Sequence, residues 1–579
     1  MAFDTFVLAA VTKELQSTLI GAKIIKIHQQ DRHSIMLKYH AQTGNGRLLL
    51  CAHPKDARIQ LTQCAKENPQ NPPLFCMVLR KYLEGSRITA ISQTPLERVL
   101  QIEFSTRNDL GDTVPCHLII EIMGKHSNII LVNDEGMIID GIRRYSHQLS
   151  RYREVLPSRP YLPPPNQDKT DLGNCDEDSL GALLFAQPLD DTITKALGKI
   201  AAGLSPLLLT ETVFASGLAA DFHIADLGQY ELSRLSQSLH SIYKHLAENN
   251  FCPTLLGGER PQDFAAISPL FWESEKLIHF SSMSEALETF YQYHEKSNLF
   301  AARQRELNKI ISAHEDRLKK KISLQEKDLA ASVCGDAYKE AGDLLSANLY
   351  HLKQGIAKVS LESFYRPGEM VEIDLDPSLP PEQNIKRYYR LYSKCKKAHI
   401  QITEQLEANR AELDYIQTVS NACAQSSCLD DLEEIKDELR QTGYLKEQKK
   451  ASKTTIQALP PHSFTSSEGF TILVGRNNRQ NDRLTLKTAA KDDIWLHTQK
   501  IPGSHVIIKT EGKQPPFATI EKAAAYAAWF SKAGASKNVP VDYTTVDQVK
   551  KPNGAKPGFV IYFNQKTVYV DPKEPAETK

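Results

Sequence analysis

Two stretches of this chain can satisfy their apolar side chains only as long helices. Leu307, Ile311, Leu318, Ile322 and Leu329 fall within about 60° of one another on a helical wheel of about 100° per residue. Leu391, Cys395, Ala398, Ile402, Leu406, Leu413 and Ile416 repeat the pattern. Between the two stripes, "MVEIDLDPSLPPEQN" combines strand-like and proline-rich parts that cannot continue a helix. The pair therefore predicts a long antiparallel coiled-coil hairpin with that segment at its tip. The stripes themselves are core, and the hairpin is an arm or spacer. At 579 residues the chain is also too long for one core, so about three or four domains are expected.

Residues 1–172 read as a mixed α/β domain. "AKIIKIHQ", "SIMLKYH", "RLLLCAH", "RVLQIEF", "CHLIIEIM" and "NIILVND" are short strands between polar turns, as in an antiparallel meander. "PPLFCMVLRKYLEG" places Phe75, Val78, Leu79 and Leu83 on one helical face and ends at Gly85. "LPSRPYLPPPNQDK", with five prolines, is a linker. Residues 173–285 are helical, with two short helices around the turn Gly203-Leu204-Ser205-Pro206. That turn weakly resembles a helix-hairpin-helix element, and ordinary helix packing is the simpler explanation. The coiled-coil middle occupies 286–445, and 446–579 is a small α+β module that follows the polar linker "KASKTTIQALPPHS".

Hydrophobic residues at 41% and charged residues at 24% describe a folded globular protein. Formal net charge is zero, but residues 446–579 carry 21 Lys and Arg against 12 Asp and Glu. A basic end joined to an acidic middle points to a polyanion, and a solvated lysine-rich surface gives the same count. The ten cysteines include no CxxC pair, which fits a reduced, cytoplasmic chain without a cysteine metal site. Asp4 stands where a signal peptide needs positive charge, and no run of 18 apolar residues occurs. Neither secretion nor membrane insertion is expected.

Glu97-Arg98 opens the strand-like "RVLQIEF", where alternation puts Arg98 on the face of Leu100, Ile102 and Phe104. An arginine on an apolar face needs a partner, which is either an intradomain acid or an external ligand. Gly124-Lys125-His126-Ser127 forms a hairpin loop whose Lys125, His126 and backbone amides could hold an RNA phosphate. In the last module Arg476, Arg479 and Arg483 are strung through amide side chains in a loop after a strand. Trp495, His497 and His505 follow, giving an RNA surface if Trp495 is exposed and a core residue if it is not. No carboxylate stands at a metal-ligand spacing from the histidines, and no metal or cofactor is expected. Walker A, GxGxxG, GxSxG and HExxH sequences are all missing, which moves weight from enzyme to binding protein.

"AFDTFVLAAVTKEL", "LLLCAHP", "LERVLQIEF", "EIMGKHSNIILV", "YREVLPSRPYLPPP" and "VKKPNGAKPGFVIY", in this order, closely resemble the bacterial branch of the NFACT family, the RqcH-like proteins once labelled fibronectin-binding. The resemblance covers essentially the whole chain. It implies an N-terminal domain like that of formamidopyrimidine-DNA glycosylases, a helix-hairpin-helix region, a coiled-coil middle and a C-terminal RNA-binding domain. The glycosylase chemistry is not implied, because no Pro-Glu follows Met1 and no cysteine lies beyond Cys428.

Such proteins act in the cytoplasm on large (50S) ribosomal subunits obstructed by peptidyl-tRNA. They recruit alanine tRNA without mRNA, with a small ribosome-binding helper protein, and the ribosome itself adds alanine to the stalled chain. The resemblance implies tRNA contacts at Glu97-Arg98, where the family usually has Asp-Arg, so that Glu97 departs by one methylene. Asp4 and Glu121-Ile122-Met123 match further family motifs, and Lys125 and His126 adjoin them. The chain looks like a complete bacterial form. A surface adhesin for fibronectin and a ribosome-binding scaffold without tailing are the competing expectations.

Overall fold

Helix α1 (Thr5–Leu19) is buried at every residue from Thr5 to Thr12. A helix that is apolar all round belongs inside a domain, and α1 supplies Phe6, Val7, Leu8, Val11 and Leu15 to the largest core. The computed structural model describes residues 3–64, 69, 71–107, 111–148, 152–165, 168–332, 335–446 and 459–575. The chain divides into two compact units, residues 1–296 and 297–579. Met1, Ala2, residues 166–167 of the proline-rich linker and residues 450–458 of the polar linker lie outside the described residues.

The first unit continues with β1 (Lys23–Gln29), β2 (Ser34–Ala41), β3 (Gly44–Cys51), β4 (Arg58–Leu61), α2 (Leu74–Leu83), β5 (Arg87–Gln93), β6 (Val99–Arg107), β7 (Thr113–Glu121), β8 (Asn128–Val132) and β9 (Ile138–Gly141). Short polar turns permit only antiparallel neighbours. The strands form one nine-stranded sheet in the order β4-β3-β2-β1-β5-β6-β7-β8-β9. Its two halves meet where Lys23 pairs with Arg87. Leu100, Ile102 and Phe104 of β6 face the α1 core, whereas Val99 joins Ile119 and Ile130 in a smaller core on the other side. Helix α2 buries Phe75, Leu79 and Leu83, and the chain turns at Gly85 with a φ of 87°.

Four helices follow, α3 (Glu177–Phe185), α4 (Ile193–Ile200), α5 (Pro206–Ala215) and α6 (Gln229–Ala247), then a three-stranded sheet of β10 (Thr254–Leu256), β11 (Asp263–Ala265) and β12 (Leu277–His279). Helix α7 (Met283–Ser332) starts against α1, where Glu14 accepts the N–H groups of Met283 and Ser284.

In the second unit α7 is followed by α8 (Gly335–Ala347), the hairpin β13 (Lys358–Glu362) and β14 (Met370–Asp374), α9 (Pro381–Gln425) and α10 (Leu429–Gln441). Leu307, Ile311 and Leu318 of α7 pack with Ile416 and Val419 of α9. Gln325 donates to Gln405 at 3.1 Å and accepts from Asn409 at 2.7 Å, and Gln417 donates to Glu315 at 3.3 Å. As one partner number rises the other falls, so α7 and α9 run antiparallel. The polar layer at Asn409 permits few other registers.

The C-terminal module is a six-stranded antiparallel sheet in the order β15-β16-β18-β17-β19-β22. Its strands are β15 (His462–Thr465), β16 (Thr471–Val474), β17 (Ile494–Thr498), β18 (Val506–Lys509), β19 (Val539–Thr545) and β22 (Lys566–Val570), with β20 (Val549–Lys550) and β21 (Ile561–Tyr562) pairing apart. The arginine segment read as a loop is instead helix α11 (Asn478–Arg483), because Asn477 caps it by accepting the Gln480 N–H. Helix α12 (Phe517–Trp529) lays Ala523, Ala524, Ala527 and Ala528 on one face of the sheet. Trp495 and Ile507 point to the other.

Candidate nucleic-acid interface

The β5–β6 connection puts Glu97 and Arg98 outside the strand. Glu97 donates its N–H to the Thr94 carbonyl at 3.1 Å, and Thr94 closes the turn on Val99 at 3.0 Å. Leu96 takes a left-handed φ of 54°, unfavourable for a branched aliphatic residue. β6 therefore starts at Val99 and leaves Arg98, half-buried, in the preceding bend.

Two other elements converge on this bend. Asp4 caps α1 by accepting the Val7 N–H at 2.9 Å and also hydrogen-bonds Ser205, the cap of α5. Leu96 rests against Gly203 of the α4–α5 turn, where a side-chain carbon would come within 3.1 Å of Leu96 Cδ2. The Gly203–Pro206 turn and the start of α1 are thus packed onto the Glu97-Arg98 bend. Burial holds the Asp4 carboxyl above its usual pKa, against its hydrogen bonds to Ser205, Val7 and Phe6. Burial also pulls the Arg98 guanidinium below its usual pKa, while the charges of Asp4 and Glu97 act to keep its proton. A partly desolvated cation between two acids is preorganised for a phosphate or a hydrogen-bonding base edge.

The β7–β8 connection lies alongside. Ile122, itself buried, donates its N–H to the Arg98 carbonyl at 2.9 Å. Half-buried Met123 donates to Ser127 Oγ at 2.8 Å, and residues 124–126 form a tight 3₁₀ turn that leaves Lys125 and His126 exposed. Glu121 has a different position from its neighbours: it is 0% exposed and grips Arg153 through two 2.6 Å hydrogen bonds, with Tyr161 Oη donating at 2.9 Å. Burial would lower the Arg153 pKa, but the hydrogen bonds and charge of Glu121 outweigh it and raise it. Glu121 therefore fixes the loop from beneath. Arg143 adds a cation that spacing alone did not single out, donating to the Lys125 carbonyl at 2.7 Å. The doubled arginine in "GIRRYSH" was the available signal.

The C-terminal candidates separate into two groups. Arg476 donates to the Pro460 carbonyl at 3.0 Å and pairs with Asp431 of α10 at 3.4 Å. Arg479 and Arg483 are exposed, four residues apart on α11, and border a cavity of about 710 Å³ opposite Glu434 and Asp437. The interleaved amides are structural: Asn478 donates to Thr418 and Glu438 at 3.0 Å, and Gln480 to Leu459 at 2.7 Å. Trp495 is 0% exposed and lies nearly parallel to half-buried His497, with ring centres 5.8 Å apart. His505 is buried beside both and bonds Thr485 Oγ1 at 2.8 Å. Burial pushes the His505 pKa down to about 3 and lowers that of His497. Among the described residues, no group of three or more His, Cys, Asp or Glu is placed to hold a metal ion, and no helix is long and apolar enough to cross a membrane.

One surface was missed by reading α9 only for its apolar stripe. Lys386, Arg387, Arg390, Lys394, Lys396 and Lys397 are all exposed near its start, and no acid interrupts "KRYYRLYSKCKK". Such a run is an electrostatic footprint for a polyanion.

The comparisons agree with the residue-level likeness. A family described as NFACT N-terminal and middle domains matches residues 4–458, and one described as NFACT protein RNA binding domain matches 461–562. The Rqc2 homolog RqcH of Bacillus subtilis (strain 168) is 37% identical over 582 residues, covering 99% of this chain and 98% of that protein. The Rqc2 homolog RqcH of Streptococcus suis (strain 05ZYH33) is 35% identical, covering 99% of each. The human ribosome quality control complex subunit NEMF is 27% identical over 141 residues, 24% of this chain and 12% of that protein. Two family matches that together run from residue 4 to 562, and relatives alike from end to end, make the chain a member of the NFACT family.

Proposed function

We propose that this protein is a ribosome-associated quality control factor that engages large ribosomal subunits obstructed by peptidyl-tRNA, recruits alanine tRNA and promotes mRNA-independent alanine tailing of the stalled chain. End-to-end likeness to proteins named Rqc2 homolog RqcH supports the role. The arrangement that carries it is Arg98, half-buried between Asp4 and Glu97 and joined through Ile122 to the loop bearing Lys125 and His126. These groups form the tRNA contact, with Glu121 and Met123 shaping it. The ribosome makes the peptide bond, so the chain acts as a positioning factor rather than an enzyme, working in the cytoplasm with a small ribosome-binding helper.

In this reading the domains are 1–172, 173–285, 286–445 and 446–579. The first has a glycosylase-like fold without the chemistry. Helices α7 and α9 form a coiled-coil arm, and the basic start of α9 meets rRNA phosphates. Arg479 and Arg483 add RNA contacts from the last domain.

The test is affinity capture of the tagged protein and of Arg98→Ala from lysate at physiological salt, with bound RNA sequenced and subunits quantified. Large subunits with alanine tRNA, the tRNA lost in the variant while subunits stay, is the expected result. Subunits without tRNA in either sample would reduce the role to a ribosome-binding scaffold.

A further inference from the structure

Between α9 and the C-terminal module lies a cavity of about 790 Å³. That is within the range of roughly 300–1,000 Å³ typical of small-ligand sites. On the module's side its lining includes Trp495, His497, Lys500, Phe559 and Tyr562. Glu412, Asp414 and Tyr415 of α9 face them.

Three observations restrict the occupant. The indole Nε1–H of Trp495 is buried and has no hydrogen-bond partner among the described residues. An orphaned buried donor is costly, and a ligand bringing an acceptor would satisfy it. Next, Phe559 lines the cavity with 52% of its surface exposed. An exposed aromatic ring at a cavity wall is a surface on which an unpaired base can stack. Finally, the charges are sorted. Glu412 and Asp414 line the α9 wall, so an anion is repelled from the interior, whereas their oxygens can accept from N–H groups. Lys500 is exposed, held in a left-handed turn at φ 54°. Lys556 is already engaged, over the rings of Tyr415 and Tyr444 at 4.7 and 4.8 Å and beside Glu412.

We propose that this cavity takes one unpaired nucleobase, ring inward against Trp495, His497 and Phe559, with its phosphate outside near Lys500. A planar ring carrying both acceptors and N–H donors matches the Trp495 donor and the carboxylate wall together. The proposal deepens the RNA-binding reading, on which it rests, and gives it a second contact independent of Arg98. The base can belong to an RNA strand or to a free nucleotide.

The test uses the full-length protein with fluorescein-labelled decamers of A, C and U and with the four nucleoside monophosphates, and no ribosomes. Trp495→Phe removes the donor and keeps a ring. Ala411→Phe fills the cavity from α9, where Ala411 lines it and is exposed. Thermal melts of both variants check that they fold. At least one decamer should bind about fivefold more weakly to Trp495→Phe and more than about tenfold more weakly to Ala411→Phe. The matching monophosphate should displace it. Monophosphate binding that is lost in both variants, without decamer binding, would assign the same site to a free nucleotide. Equal affinities in all three proteins, or no binding of any probe, would overturn the proposal. Arg98→Ala should bind the decamers as the wild type does, so failure here is separable from failure of the tRNA contact.

Discussion

Ile122 donates its backbone N–H to the backbone carbonyl of Arg98 at 2.9 Å. The two loops that carry the family's motifs are thus joined main chain to main chain, a joint that a change of the Arg98 side chain leaves in place. Arg98→Ala should unfold within about 1 kcal/mol of the wild type, as ordinary partly exposed substitutions do. Thermal denaturation checks this; a loss of several kcal/mol would make the guanidinium a structural brace.

Glu121 behaves oppositely. Its pair with Arg153 is 0% and 7% exposed, so removing one partner strands a buried charge. Glu121→Gln should cost about 3–5 kcal/mol, and the double variant Glu121→Leu with Arg153→Met should cost less than either single change. Urea unfolding of the three proteins measures it. A mild Glu121→Gln with impaired tRNA binding would instead make Glu121 a direct ligand contact.

Acid should loosen the second unit before the carboxylates titrate. Burial pushes His505 down to about 3 and His462 to about 4, and lowers His497, from an ordinary 6.5. Between pH 6.5 and 4 the unfolded chain binds more protons than the native one, so stability is complete above 6.5 and falls as pH falls. Far-ultraviolet circular dichroism melts across that window should show a falling midpoint, and His505→Gln should flatten the slope. A flat wild-type profile would contradict the burial.

The basic start of α9 should govern salt sensitivity. Lys386→Gln, Arg390→Gln and Lys394→Gln combined should weaken large-subunit binding and make log affinity against log salt shallower by roughly one for each phosphate that is no longer neutralised. Co-sedimentation at several salt concentrations reads both. An unchanged slope would show that this surface stays in solvent.

Local patterning carried most of the first sheet: short runs rich in Ile, Leu and Val placed β1 and β2, alternation placed β6, and Gly85 marked the end of α2. The bend at Arg98 was not visible, because its left-handed residue is Leu96, a side chain that gives no sign of positive φ. The polar run "RNNRQND" read as a loop because its amides find their partners, Thr418 and Glu438, on helices distant in sequence. Trp495 could be read as exposed or core, and sheet parity decided it, opposite to Leu496 and away from α12. Glu121 looked like its motif neighbours until the chain brought Arg153 and Tyr161 beneath it.

The most direct test follows a stalled reporter chain in cells lacking this protein, complemented with the wild type or with Arg98→Ala, its C-terminus read by mass spectrometry. The proposed role predicts added alanine residues with the wild type and none with Arg98→Ala at equal protein level. Alanine tails of the same length with both proteins, or none with either, would contradict it.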